Sequence, residues 1–124
     1  MESKQFEWMK NKGYIVNLKG KYFVTFQGLV TVAHNTGLIS IETTCIHDDW
    51  EKGHFAFSAT VKGMKKDSDQ VVTFTDQGDA TTKNVNRMIA PHVRRMASTR
   101  AICRALRLYT GISYPSQEEY GGDE

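Results

Sequence analysis

Between Ala80 and Gln117 the sequence has no aspartate or glutamate, and its 124 residues include only two prolines and two cysteines. Long hydrophobic runs are missing too. Leu29 to Ala33 is interrupted within a few residues, and Glu7 and Lys10 break any signal-like core near the start, so no segment is expected to cross a membrane or direct export. Without an export signal, Cys45 and Cys103 are expected as reduced thiols in a cytoplasmic setting. A Gly-rich phosphate loop of the Walker type is lacking, which argues against ATP hydrolysis. Ser98 and Thr99 have no paired histidine and carboxylate nearby, so caps or packing explain them better than nucleophilic catalysis. What remains, 40% apolar and 24% charged residues with no internal repeat, is the composition of one folded domain.

The small net charge of +2 conceals a segregation. Residues 1–79 carry nine cations and ten acids, residues 80–117 carry Lys83 and six arginines, and residues 118–124 carry four acids. A stretch of seven cations without an anion attracts polyphosphate, because each neutralised phosphate releases counterions. The plainer explanation is a solvated helix face balanced by acids elsewhere in the fold.

Residues 3–12 form a short, weakly amphipathic segment with Phe6, Trp8 and Met9, suited to a helical arm that docks on another surface. Tyr14 to Leu18 and Tyr22 to Val24 flank Lys19-Gly20-Lys21 and read as a hairpin with two lysines at its tip. Thr25 can cap a short helix that runs through His34 and stops at Gly37. Ile39, Ile41, Thr43 and Cys45 then alternate with polar residues, as do Phe57, Ala59 and Val61, and Val71 to Thr75 gives a third strand with Val72 and Phe74 facing inward. Asp48 to Gly53 and Lys65 to Asp69 are the turns of this antiparallel meander, and Asp76 to Asn86, with Gly78-Asp79-Ala80, reads as a polar loop. Pro91 suits the first turn of a long helix ending near Thr110 at Gly111. The expected class is α+β: a β-hairpin, a short helix, a three-stranded antiparallel meander and a long basic helix packed on the sheet.

On a wheel of about 100° per residue with Arg100 at zero, Arg104 falls at roughly 40° and Arg107 at roughly 340°, one stripe of guanidinium groups. Ala97, Leu108, Ala101, Ala105, Tyr109, Ile102 and Leu106 fill the arc from about 60° to 240°, an apolar face for the sheet. Arg94 and Arg95, at about 120° and 220°, fall inside that arc, so the first turn must project beyond the sheet for them to stay solvated. The stripe borders the buried face and suits a groove wall for phosphate, unless the arginines bond the protein's own carboxylates or carbonyls or form a subunit interface.

The run Met96-Ala97-Ser98-Thr99-Arg100-Ala101-Ile102-Cys103-Arg104-Ala105-Leu106-Arg107 resembles the single-strand annealing proteins, a superfamily that includes eukaryotic Rad fifty-two, bacterial DdrA and the phage recombinases Sak and Erf. Gly78-Asp79-Ala80 is similar to a short motif ahead of this helix in the DdrA-like branch, and Gly20 to Leu29 is similar to a hairpin running into a short helix. The resemblance covers about residues 14–110 and implies a Rad fifty-two-like β-β-β-α core. It implies an ATP-independent protein that forms a homo-oligomeric ring or filament; from the residues themselves no enzyme chemistry, cofactor or metal is expected. Such a protein holds single-stranded DNA so that complementary strands can pair in recombination or repair, in a nucleoid-associated setting. Carried onto this chain, Arg100, Arg104 and Arg107 would contact phosphate. Lys19 and Lys21 would form the opposite lip, and Arg94, Arg95 and Lys83 would add to the basic surface. The expected divisions are an arm over residues 1–13, the DNA-binding domain over 14–112 and an acidic tail over 113–124, the last open to a recombination partner.

Two other readings remain. The order α, β, β, β, α from Thr25 to Thr110 is also that of double-stranded RNA binding domains, with His92, Arg94 and Arg95 at the start of the last helix. Asp48, Asp49, Glu51 and Lys52 superficially resemble the carboxylate and lysine set of a metal-dependent nuclease, although solvated turn charges explain them more simply. Cys45, His47 and His54 are placed to approach one another, but a fourth zinc ligand is missing, and surface histidines are the expectation.

Overall fold

The computed structural model describes residues 4–83 and 92–120. The elements in chain order are α1 (Lys4–Asn11), β1 (Ile15–Leu18), β2 (Lys21–Val24), α2 (Phe26–Thr36), β3 (Leu38–Asp49), β4 (His54–Met64), β5 (Val71–Thr81), α3 (Val93–Thr110) and α4 (Gln117–Tyr120). The class is α+β, with an antiparallel sheet in the order β3-β4-β5 and α3 packed on it.

Local chemistry explains the first half. Asn17 accepts the Gly20 amide at 3.0 Å and closes the hairpin turn, in which Lys19 takes a φ of 54°. Thr25 caps α2 by accepting the Gly28 amide at 3.0 Å. Helix α1 does not stand off as an arm: Phe6 and Met9 are buried in the molecule's own core, and Phe6 packs against Tyr22 and Tyr114.

Two features of the sheet correct the simple alternation. Strand β3 carries bulges at Ile39 and Ile46, where the pairing to β4 skips a residue. Ile39 is therefore turned out and 56% exposed rather than facing inward with Ile41. The second bulge pairs Cys45 with Phe57 but His47 with the adjacent Ala56, so Cys45 and His47 lie on opposite faces instead of sharing one. Strand β3 also extends through Asp49, so Asp48 and Asp49 are strand residues on alternate faces and not part of a turn.

The segment read as a polar loop from Asp76 is instead the continuation of β5 to Thr81. Gly78 and Ala80 are buried while Gln77 and Asp79 are exposed, so the small residues face α3. An added Cβ at Gly78 would strike the Arg100–Ala101 peptide, and one at Gly63 would strike the Tyr109 ring. These positions let the helix lie at backbone distance, and Tyr109 crosses Gly63 to donate its hydroxyl to the Met64 carbonyl at 2.7 Å.

Helix α3 ends at Gly111 in the left-handed conformation, with φ 74°. Pro91, expected at its start, lies outside the described residues. The buried side of α3 is wider than a single arc, since Arg100 and Cys103 are buried along with Ala97, Ala101 and Leu106. The sheet covers one side, and α2 and the segment after Gly111 cover others. Leu108, expected in the apolar arc, is 49% exposed. No helix among the described residues is long and apolar enough to cross a membrane.

Both cysteines are free thiols. Burial pushes Cys103 up to about 12, partly opposed by its hydrogen bond with Ser116. An alkylating reagent near neutral pH should label Cys45 in the native protein and Cys103 only after unfolding, read by mass spectrometry of the labelled peptides. Because the unfolded thiol ionises near 9.0 and the folded one near 12, the unfolded chain holds fewer protons between these values, and stability should fall as pH rises through that window. Gly78→Val should cost roughly 2–4 kcal/mol or abolish folding, measured by denaturant titration, because the helix must move off the sheet.

Candidate functional site

The arginine stripe is not a free wall. Arg100 is 5% exposed and donates Nη1 to the Asp79 carbonyl at 2.9 Å and Nε to the Glu118 carbonyl at 3.4 Å. Arg104 donates Nη1 to the Gln77 carbonyl at 2.9 Å. Side chains four apart on a helix are separated by a rise of about 6 Å, and carbonyls two apart on a strand repeat at about 6.8 Å on the same side. The two guanidinium groups therefore meet successive carbonyls of β5, with the helix running against the strand. The Arg-x-x-x-Arg spacing is the one this contact requires.

The third arginine fixes the segment read as an acidic tail. Arg107 donates Nη1 to Glu119 Oε1 at 2.7 Å and Nη2 to the Ser113 carbonyl at 3.0 Å, and Arg104 Nε lies 3.5 Å from the same carboxylate oxygen. The Glu119 side chain is only 8% exposed. Its other oxygen accepts the Ser116 amide at 2.7 Å, while Ser116 Oγ accepts the Glu119 amide at 3.1 Å, a reciprocal capping box. Ser116 is fully buried and bridges to Val24 of β2, and Val24 donates its amide to the Pro115 carbonyl at 3.0 Å. Residues 113–120 thus fold back as part of the domain, between the hairpin and the stripe, because Glu119 supplies the counter-charge the helix lacks.

Burial lowers the Arg100 pKa, Asp79 raises it in part, Arg104 adds to the lowering and Glu119 opposes it; the guanidinium stays charged at neutral pH. Arg107 Nε is buried with no hydrogen-bond partner among the described residues.

Part of the stripe still reaches solvent. The Arg104 and Arg107 side chains are 41% and 26% exposed, and with Asp76, Leu108 and Ile112 they line an open cavity of about 400 Å³. A second cationic surface lies at the other end of α3. His92, Arg94 and Arg95 are exposed there, and Lys83 is exposed just beyond β5. Arg94 donates Nε to Asp48 Oδ1 at 3.3 Å and lies 5.1 Å from the Phe57 ring centroid. Lys19 and Lys21 are exposed at the hairpin turn. The segment over residues 113–120 intervenes between the hairpin and the stripe, so the two do not form facing lips directly.

Asp49 Oδ1 accepts the Lys52 amide at 2.9 Å, and His54 Nε2 lies 3.5 Å from Asp79 Oδ2. No group of three histidine, cysteine or carboxylate side chains among the described residues is placed to hold a metal ion.

Ser116 and Glu119 were not singled out in the sequence as residues that build this region, and Gly78 was noted only as part of a motif ahead of the helix, in a segment read as a loop. Ser-x-x-Glu is a readable helix-start signal, and Gly-x-Ala at a period of two marks a strand that a helix approaches closely. Comparison with protein-family models and with curated proteins finds no match for this chain.

Arg100→Ala should cost about 2–4 kcal/mol, since it leaves two carbonyls without their donor in a covered site. Arg104→Ala should cost less than about 1 kcal/mol, because its side chain is 41% exposed and Glu119 keeps its bonds to Arg107 and the Ser116 amide. Thermal melts of the two variants give this order directly. Equal losses would mean that Arg104 is as covered as its neighbour.

Proposed function

We propose that this chain binds single-stranded DNA and anneals complementary strands without nucleotide hydrolysis, as a homo-oligomeric component of recombination or repair. The observation that carries the reading is the concentration of seven cations, with no acid, in residues 80–117, most of them on α3. Arg104 and Arg107 hold fixed orientations at the rim of an open cavity, which suits planar recognition of phosphate without further ordering of the side chains. Arg104 donates Nη1 to the Gln77 carbonyl and holds Nε 3.5 Å from Glu119 Oε1, while 41% of its side chain stays open to a ligand. Arg94, Arg95 and Lys83 extend the cationic surface along the other end of the helix. The similarity of residues 96–107 to the annealing-protein pattern supports the choice of single strands over other polyanions.

A second reading is favoured by one observation, the engagement of all three stripe arginines with Glu119 or backbone carbonyls. In that reading the stripe serves only the fold. Fluorescence anisotropy with labelled single-stranded DNA, duplex DNA and double-stranded RNA separates the readings. Single strands should bind best and with little sequence dependence, and log affinity should fall against log salt with a slope of roughly −2 to −3. Arg104→Ala should weaken binding about 5- to 100-fold. A salt-insensitive interaction, or unchanged affinity in a folded Arg104→Ala protein, would leave the stripe a structural device. A tenfold preference for double-stranded RNA would instead favour an RNA-binding module. Sedimentation with and without DNA should show multimers, because about three or four contacts per protomer are too few to hold a flexible strand unless linked grooves share it.

A further inference from the structure

Trp50 is the most exposed large hydrophobic side chain among the described residues, at 72%. It stands where β3 turns toward β4 and meets Phe55 edge-on, with ring centroids 4.9 Å apart and planes at 74°. Phe55 and Phe57 share the inner face of β4, about 7 Å apart along the strand. The guanidinium carbon of Arg94 lies 5.1 Å from the Phe57 centroid. An aromatic row thus runs from the indole to the guanidinium, its middle members buried and its two ends open.

The acids at this corner are largely engaged. Asp48 faces Arg94, Asp49 closes the turn onto the Lys52 amide, and Asp79 lies beside His54. Glu51 is exposed next to Lys52 in the chain. Arg95 and Lys83 are exposed, with no described carboxylate in ion-pair reach. An indole left in water at one end of a row whose other end is the Arg94 guanidinium suits a flat, apolar ring flanked by phosphates. Nucleotide bases in a single strand offer that ring, whereas bases in a duplex are already stacked on both faces.

We propose that Trp50 stacks on a base of single-stranded DNA whose flanking phosphates are taken by Arg94, Arg95 and Lys83. This rests on the reading of the preceding subsection and adds to it a contact that duplex DNA cannot make. The indole is the part of the site that selects strand state, and the cations supply affinity common to both forms.

The test uses the full chain with an oligothymidylate, followed by intrinsic tryptophan fluorescence and, separately, by anisotropy of a labelled strand. Single strands should quench the emission and duplex of equal length should not. Trp50→Phe should abolish most of the quenching yet keep most of the affinity, while Trp8→Phe should leave the quenching intact, since Trp8 lies on α1 and packs on Tyr14. Trp50→Ala should weaken single-strand binding about tenfold and bring it close to duplex binding. Thermal melting confirms that these variants are folded. If Trp50→Ala binds like the parent while Arg95→Glu and Lys83→Glu weaken binding, the stacking role is overturned and the DNA-binding reading stands. If Trp50→Ala changes only the sedimenting mass, the indole belongs to a contact between copies and the proposal is overturned. If the parent shows no anisotropy change, the DNA-binding reading itself fails, and the stacking role fails with it.

Discussion

No side chain fits between β5 and α3 at Gly78, where an added Cβ would collide with the Arg100–Ala101 peptide. That contact between two backbones sets the reach of everything attached to the helix. With the helix axis this close, the guanidinium groups of Arg100 and Arg104 arrive at carbonyls of an edge strand, and Tyr109 can span Gly63 to the Met64 carbonyl. A larger residue at either glycine would separate these groups by more than a hydrogen bond tolerates. The helix is also pinned from behind, because Glu119 returns to the same arginines and Ser116 ties that return to β2.

The order of elements as far as α3 was legible because each carries its own local signal, while α4 was read as part of an acidic tail. Thr25 and Gly37 bracket α2, Gly111 ends α3, and the alternation of Phe57, Ala59 and Val61 marks an inner face. What local pattern could not supply was anything that depends on a partner distant in the chain. The bulges at Ile39 and Ile46 exist only relative to β4, and they reverse the side on which the following residues point. Asp79 looked like a loop residue because acids and glycine are rare in strands, yet the demand for small residues opposite the helix outweighs that propensity. The helical wheel placed the three arginines on one stripe correctly. It could not show that the far side of the helix is also covered, and so took the stripe for a solvent-facing wall.

This duality gives the cationic segment two tiers. Arg100 is committed to the interior, while Arg94, Arg95 and Lys83 are exposed at the other end and Arg104 and Arg107 stand between, partly bonded and partly open. A charge count along the sequence treats all seven cations alike. Burial sorts the six of them among the described residues into those that hold the helix to its surroundings and those with room for a further ligand, and substitution of one kind reports on stability while substitution of the other reports on binding.

The bridge from Val24 to Ser116 also orders events in time. The hairpin emerges early during synthesis, but the chain that completes its side, and supplies the anion for Arg104 and Arg107, is made only after all of α3. Until then the helix carries uncompensated arginines, and the apolar surface around Val24 and Cys103 lacks its cover. Assembly of the native state therefore waits on contacts between parts of the chain far apart in sequence, the arrangement that slows folding and lengthens the interval in which a nascent chain depends on protection from aggregation.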